Sequence, residues 1–155
     1  MEDMKKDLVN TIEKYGRDVN VRGMMTREIT CYNFLVTDVN FHLSAEEKEY
    51  VDNKIKKYSK EIKKCIKTLK EDRFSRRAVI EFSQKDNPPE CFLNIHFLIR
   101  EEELYTIVSQ RSLDINKHLK TDVVIAKKFS DAICENLNVK LKHIKFNVNS
   151  AHIYK

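Results

Sequence analysis

The spacing of apolar residues changes near Asp72, and this change limits the chain to a mixed α/β fold. Before Asp72, six apolar residues recur at steps of three and four, which places them on one face of a long helix. After Asp72, apolar residues occur in short runs rich in β-branched and aromatic side chains, as expected for strands. The six residues of the helical stripe are Val51, Ile55, Tyr58, Ile62, Ile66 and Leu69.

The remaining elements can be predicted from the same patterns. Ser44 and Glu47 form a capping box that starts the long helix, and Thr121 or Asp122 can cap a later helix that reaches residue 137. A first helix is expected over residues 3–15. Strands are expected over 26–36, 78–82, 91–100, 104–110 and 141–149. A chain of 155 residues that is 41% hydrophobic is long enough for one core, so we predict a single α/β domain with helices on a mixed sheet.

Several classes of protein are excluded by composition. The N-terminal residues mix charges with apolar side chains, unlike a signal peptide, and no apolar run is long enough to cross a bilayer. The four cysteines are dispersed without a metal-ligand spacing, so reduced thiols and no metal site are expected. These features indicate a cytoplasmic protein that does not associate with a membrane.

Positive charge is concentrated in residues 48–77, which hold twelve Lys or Arg against five Asp or Glu. A phosphate-bearing partner is one explanation, and a solvated lysine-rich helix face is the commoner one. Nucleic-acid binding by the basic helix 45–70 is a further alternative. It ranks last because aromatic residues are sparse there and the segment matches no recognition motif.

Five short segments between residues 75 and 154 carry a resemblance to a known family. Together, and in this order, they resemble the signature of thymidylate synthase and deoxycytidylate (dCMP) hydroxymethylase. The stretches at 26–29 and 49–51 are similar to the hydroxymethylase branch, so the resemblance extends over about residues 21–154. It implies a thymidylate synthase-like mixed sheet and a homodimer. The segments are Ser75-Arg76-Arg77, Pro89-Glu90-Cys91, Gln110-Arg111-Ser112-Leu113-Asp114, Asp122 and Ser150-Ala151-His152-Ile153-Tyr154.

The resemblance assigns catalytic roles to two of these residues. Cys91 stands where the family thiolate adds to C6 of the pyrimidine, and a positive charge at Arg111 would favour that thiolate. Asp114 matches an aspartate that orders the base and takes part in the reaction. The competing interpretation of Cys91 is a small buried residue in a strand.

Phosphate binding is implied for five residues. Arg111 and Ser112 match the family's phosphate-binding pair, since a guanidinium group can contact phosphate oxygens in a bidentate way. Arg76 and Arg77 match an arginine pair that reaches the partner's nucleotide phosphate across the dimer, although a simple surface role stays open. Arg22 lies where the family places another basic contact to phosphate.

Base and sugar recognition are implied for three more residues. Asp122 lies where synthases usually have asparagine and the hydroxymethylase branch has aspartate, and an ionised aspartate can accept from the exocyclic amine of cytosine. Its alternative role is the N-cap of the following helix. His152 and Tyr154 match the pair that binds the sugar hydroxyl, and their alternation in a strand places both, with Ser150, on one face.

Departures from the family pattern favour binding over turnover. Lys54 stands where the hydroxymethylase branch has a catalytic glutamate. The region before Arg76 is short, the chain has no Trp, and it stops one residue after Tyr154, so the folate-site insertion and the closing C-terminal segment are expected to be missing. The leading hypothesis is a protein that binds a pyrimidine nucleoside monophosphate, preferably with cytosine. The alternative is an active C5 methyl- or hydroxymethyltransferase on (d)CMP or dUMP that uses Cys91 and methylenetetrahydrofolate, with a partner chain completing the site.

Overall fold

Four helices and seven strands make up the computed structural model, which describes residues 2–155. The helices are α1 Glu2–Tyr15, α2 Ala45–Lys57, α3 Ser59–Glu71 and α4 Leu119–Leu137. The strands are β1 Arg17–Val21, β2 Met24–Leu35, β3 Val79–Glu81, β4 Phe92–Arg100, β5 Glu103–Gln110, β6 Leu113–Asp114 and β7 Lys140–Tyr154. The predicted α/β class is confirmed.

The strands form one mixed sheet in the order β1-β2-β7-β5-β4-β3. Strand β7 is central and is the longest, with 15 residues. It pairs antiparallel with β2 and parallel with β5, whereas the other neighbours along the sheet are antiparallel. Strand β6 also runs parallel to β7 and pairs with it near its C-terminal end, at Ala151 and His152.

The core lies between this sheet and the helices on one of its faces. Helix α4 contacts β5 and β7, α3 contacts β3, and α1 contacts β2 and β7. Phe97, Phe129 and Phe146 are among the largest fully buried side chains of this layer. Along β5, buried residues alternate with half-buried ones, so one face of the sheet is covered and the other is partly open. Among residues 2–155, no helix packs on the open face.

The predicted long helix is divided in two at Tyr58. Tyr58 has φ −104° and ψ 23°, outside the helical region, and its hydroxyl accepts a hydrogen bond from the Ser83 amide at 3.0 Å. Its ring packs against Phe82 with a centroid distance of 4.4 Å. The Tyr58 ring is buried in the core, as its place on the apolar stripe predicts, although the helix itself is interrupted there. The capping box of Ser44 and Glu47 is confirmed.

Two boundaries near the candidate site also differ from prediction. Helix α4 begins at Leu119 with His118 as N-cap, so neither Thr121 nor Asp122 caps it. Strand β1, which was not predicted, precedes β2 and is joined to it by a two-residue hairpin turn, with Arg22 at φ 53° and Gly23 at φ 81°. Positive φ at both central residues matches the twist of the flanking strands.

None of the helices within residues 2–155 is long and apolar enough to cross a membrane.

Candidate functional site

An interruption between β5 and β6 creates the candidate site. Strand β5 pairs with β7 as far as Gln110, and β6 resumes pairing with the same strand at Leu113. Arg111 and Ser112 lie in the gap and are released from the strand ladder, so their side chains can turn into a cleft instead of alternating across the sheet. Both are half-buried.

The cleft has a volume of about 320 Å³ and is bordered by four parts of the chain. These are the β1–β2 hairpin, the segment around Cys91 and Arg111, the loop from Asp114 to His118, and the end of β7. A cleft of this size is within the range of small-molecule sites, and most of the residues that line it are polar, which suits a polar ligand. Its lining residues are Val21, Arg22, Thr26, Glu28, Cys91, Arg111, Ser112, Asp114, Lys117, His118, Ser150, His152 and Tyr154.

Arg111 is held in place by the backbone beside Cys91. Its Nε donates to the Glu90 carbonyl at 3.0 Å, and its Nη2 donates to the Pro89 carbonyl at 3.0 Å. The same Nη2 lies 3.9 Å from the Cys91 sulfur. These bonds leave part of the guanidinium group for a ligand, and they set its positive charge next to the thiol.

The end of β7 supplies the opposite wall. Ser150, His152 and Tyr154 all line the cleft, as their predicted alternation required, whereas Ala151 and Ile153 between them are buried. The Ser150 hydroxyl donates to a carboxylate oxygen of Glu28 at 2.7 Å. Glu28 therefore brings an acceptor into the cleft beside His152, with which it is paired across β2 and β7.

Asp114 shapes the loop that leads into α4. Its Oδ1 accepts from the amides of Asn116 at 3.0 Å and Lys117 at 3.2 Å, and its carbonyl accepts from the His118 amide at 2.8 Å. Because of burial first, and of the neighbouring Lys117 charge second, the pKa of His118 lies below its usual value. The neutral imidazole can then donate through one nitrogen and accept through the other.

Asp122 lies behind the cleft wall and does not line it. Only 2% of the residue is exposed, and its Oδ2 accepts from Nε2 of Gln110 at 2.7 Å. Burial raises the pKa of this carboxyl to about 7, although the hydrogen bond from Gln110 and the charge of Lys54 act in the opposite direction. Within residues 2–155, the buried Oε1 of Gln110 has no hydrogen-bond partner. The Gln110–Asp122 pair therefore leaves one buried acceptor atom without a hydrogen bond.

Lys54 makes an ion pair with the residue before the cysteine. Its ammonium group contacts the Glu90 carboxylate, which also accepts from Lys57 at 3.0 Å. Burial raises the pKa of Glu90, but the hydrogen bonds from the two lysines outweigh burial and hold this pKa below its usual value. Glu90 is thus a poor proton acceptor, and Lys54 is not a free cation beside the thiol.

Not every predicted residue reaches this cleft. Arg22 lines it from the hairpin turn, but Arg76 and Arg77 border a separate groove at the C-terminal end of α3. The Arg76 carbonyl is 3.0 Å from Nε2 of His96, a β4 residue. Of the ten predicted site residues, seven border one cavity, Asp122 lies just behind it, and the arginine pair lies elsewhere. No trio of His, Cys, Asp or Glu side chains within residues 2–155 is arranged to hold a metal ion.

A family model connects this cleft to known chemistry. The model described as thymidylate synthase matches residues 7–155, nearly the whole chain. The chain belongs to the thymidylate synthase family. Membership supports a function that involves pyrimidine nucleotides, which agrees with a cleft lined by a thiol, a guanidinium group and hydroxyl groups. A search of curated proteins gives no match.

Some cleft residues were not found from the sequence. Glu28 belongs to a stretch that resembles the hydroxymethylase branch, yet its place in the site depends on the pairing of β2 with β7. Lys117 and His118 follow Asp114 closely in the chain, and this proximity is the one sequence feature that could have indicated their place in the cleft. Gln110 directly precedes Arg111, but its contact with Asp122 depends on how α4 packs on β5.

Proposed function

We propose that the chain binds a pyrimidine nucleoside monophosphate in this cleft, prefers cytosine, and has reduced or lost turnover. The observation that carries the proposal is the convergence of Arg111 and Ser112 with Cys91 and His152 around one cavity. A phosphate, a pyrimidine ring and a sugar each find a matching group there. The proposal assigns the chain to the hydroxymethylase branch of the family.

Phosphate binding is supported by Arg111 and the groups around it. Its guanidinium is anchored by two backbone carbonyls, so little side-chain entropy remains to be lost when an anion binds. Ser112 offers a hydroxyl donor, and Arg22 and Lys117 add positive charge to the same cleft. Such a set of donors suits the dianionic phosphate of a nucleotide.

A preference for cytosine is supported by the carboxyl group at 122. When ionised it accepts from the exocyclic amine of cytosine, whereas it would face the uracil oxygen as a second acceptor. Because Asp122 is buried behind the wall, this contact requires the base to lie against the Gln110–Asp122 pair.

Reduced turnover is supported by the pair at Lys54 and Glu90. Proton transfer needs a group whose pKa lies near the working pH, and the lysines hold the pKa of Glu90 below its usual value. The face of α2 near the thiol presents Tyr50 and Lys54 instead of a carboxylate. These side chains do not fit the proton transfer that accompanies methylenetetrahydrofolate chemistry, so no step is assigned to that cofactor.

Isothermal titration with CMP, dCMP, UMP and dUMP tests the proposal. We expect measurable binding with cytosine preferred, loss of binding in Arg111→Ala, and a shift towards uracil in Asp122→Asn. Arg73→Ala is the matched control, because Arg73 contacts Glu102 and the Leu137 carbonyl away from the cleft. Weak and equal binding of all four nucleotides would contradict the proposal.

A homodimer belongs to the same proposal. The helix-free face of the sheet presents apolar side chains between strands β2, β4, β5 and β7, in a shallow groove that includes Leu35, Leu98 and Ile107. An apolar sheet face of this kind is suited to a second copy. The contact between His96 and the Arg76 carbonyl ties the arginine pair to the strand edge of this region. Arg76 and Arg77 would then reach the partner's phosphate.

Cys91 favours a second candidate, an enzyme that modifies C5 of the pyrimidine. The thiol is half-buried, lines the cleft and lies next to the Arg111 guanidinium. Addition of the thiolate to C6 would place negative charge on C5 and allow hydrogen exchange with water even without a folate. Release of tritium from C5-labelled CMP or dUMP, abolished by Cys91→Ser, would support this candidate. Absence of release with and without folate would reject it.

A further inference from the structure

The Lys54–Glu90 pair lies where solvent can weaken it very little. Only 12% of the Lys54 side chain and 9% of the Glu90 side chain are exposed. The Tyr58 hydroxyl lies 3.4 Å from the other Glu90 oxygen, on the side that Lys57 also contacts. An ion pair in such a setting has a defined geometry, unlike the mobile pairs of an exposed surface.

The same residue that binds Lys54 through its side chain binds Arg111 through its backbone. The Glu90 carbonyl accepts from Nε of Arg111, and the neighbouring Pro89 carbonyl accepts from Nη2. The Arg111 amide in turn donates to the Cys91 carbonyl at 3.0 Å. A short segment, 89–91, is therefore fixed to α2 on one side and to the guanidinium group on the other.

This segment has few other constraints. It precedes β4, which begins at Phe92, and it follows the turns of residues 83–88. Its remaining backbone hydrogen bond joins the Glu90 amide to the Ser83 carbonyl at 3.2 Å. Without the contacts of the Glu90 side chain to Lys54, Lys57 and Tyr58, the two carbonyls that orient Arg111 would belong to a loop attached at one edge.

From these contacts we infer that Lys54 and Glu90 form a positioning pair that fixes Arg111 for phosphate recognition. Neither side chain touches the ligand. The pair fixes the 89–91 carbonyls, and the carbonyls hold the guanidinium group at the cleft. The phosphate part of this inference rests on the proposed function, whereas the positioning of Arg111 does not.

The first test measures Arg111 without any ligand. In nitrogen-15 spectra of the full chain, the Arg111 Nε–H signal, assigned by its loss in Arg111→Lys, should exchange slowly with water. We expect Lys54→Met to accelerate this exchange about tenfold because the Nε–H hydrogen bond opens more often. Lys54→Arg, which keeps the pair, should exchange like the wild type.

A double variant guards against misfolding and against a simple effect of charge. Loss of Glu90 alone would leave the buried Lys54 charge unpaired, which can unfold the chain, and loss of Lys54 alone would leave Glu90 paired only with Lys57. Lys54→Met combined with Glu90→Gln removes both charges, keeps the net charge, and should still accelerate Arg111 exchange. Lys128→Met is the matched control, since it breaks an exposed pair with Asp52 of α2. Unchanged exchange in the double variant would overturn the inference.

A second measurement separates the positioning of Arg111 from the recognition of phosphate. With CMP and cytidine as ligands, the double variant should lose affinity for CMP about tenfold while its affinity for cytidine is retained, because only CMP uses Arg111. Equal losses for both ligands would contradict a phosphate-specific role. Should the wild type bind neither ligand, the proposed function fails, and the exchange result still decides whether the pair positions Arg111.

Discussion

Replacing Asp122 by asparagine should stabilise the fold at alkaline pH. The Asp122 carboxyl is buried and its pKa is raised from 3.8 to about 7. At about 1.4 kcal/mol per pKa unit, ionisation of this group in the folded chain costs about 4 kcal/mol relative to the unfolded chain. The asparagine side chain cannot ionise and keeps an oxygen that accepts from Gln110, so the variant avoids this cost.

The direction of this pH dependence follows from the number of protons that the folded and unfolded chains bind. Between about pH 4 and pH 7 the folded chain holds a proton on Asp122 that the unfolded chain has released. The contribution of Asp122 to the free energy of unfolding therefore falls as pH rises through this window and is constant above it. Below about pH 4 both states are protonated, and the variant should differ from the wild type only by the change of side chain.

Urea denaturation followed by circular dichroism, at pH values from 4 to 8, measures the effect. The free energy of unfolding of Asp122→Asn minus that of the wild type should rise by about 4 kcal/mol across this range. Asp131→Asn is the control, because that carboxylate is partly exposed and pairs with Lys127 within α4. A difference that stays constant within about 1 kcal/mol would refute the assignment of a raised pKa to Asp122.

Three further predictions concern stability and assembly. Ser44→Ala should lower the free energy of unfolding by about 1 kcal/mol, because the capping box of α2 is lost, and denaturation that matches the wild type would contradict this. Leu69→Ala should lower it by about 3 kcal/mol, since Leu69 is fully buried, and a loss below about 1 kcal/mol would show that the core closes the cavity. Ile107→Glu should convert a dimer to a monomer in light scattering without a change in helix content, and an unchanged mass would count against the sheet-face dimer.

The order of helices and strands was predictable because hydrophobic spacing reports it directly. The stripe from Val51 to Leu69 and the alternating strands both contribute to the core as expected. The break at Tyr58 was not predictable, since the spacing continues through it. The break depends on the Ser83 amide and the Phe82 ring, which come from a distant part of the chain. Strand β1 was missed because its exposed polar residues depend on pairing with β2.

The candidate site was predictable where the family pattern places residues close in the chain. Arg111, Ser112 and Asp114 lie in one segment, and the alternation at the end of β7 brought His152 and Tyr154 to the same cleft. To predict that Asp122 is buried and that Glu28 lines the cleft, one needs the strand register and the helix packing, which the spacing of residues does not specify. The N-cap interpretation of Asp122 was wrong because α4 begins three residues earlier.

The charge at position 54 of α2 affects the pKa of Glu90, the residue before Cys91, and thereby its ability to accept a proton. A carboxylate at position 54 would stand against the carboxylate of Glu90, and two such groups in a poorly solvated site raise each other's pKa towards the range where proton transfer is efficient. With lysine at 54, attraction replaces repulsion, and the pKa of Glu90 falls below its usual value. The lowered pKa makes the Glu90 carboxylate a weak base. Under the proposed function, the Lys54–Glu90 contact would both make Glu90 a weak base and fix the backbone around Arg111, so reduced turnover and phosphate binding would follow from one contact.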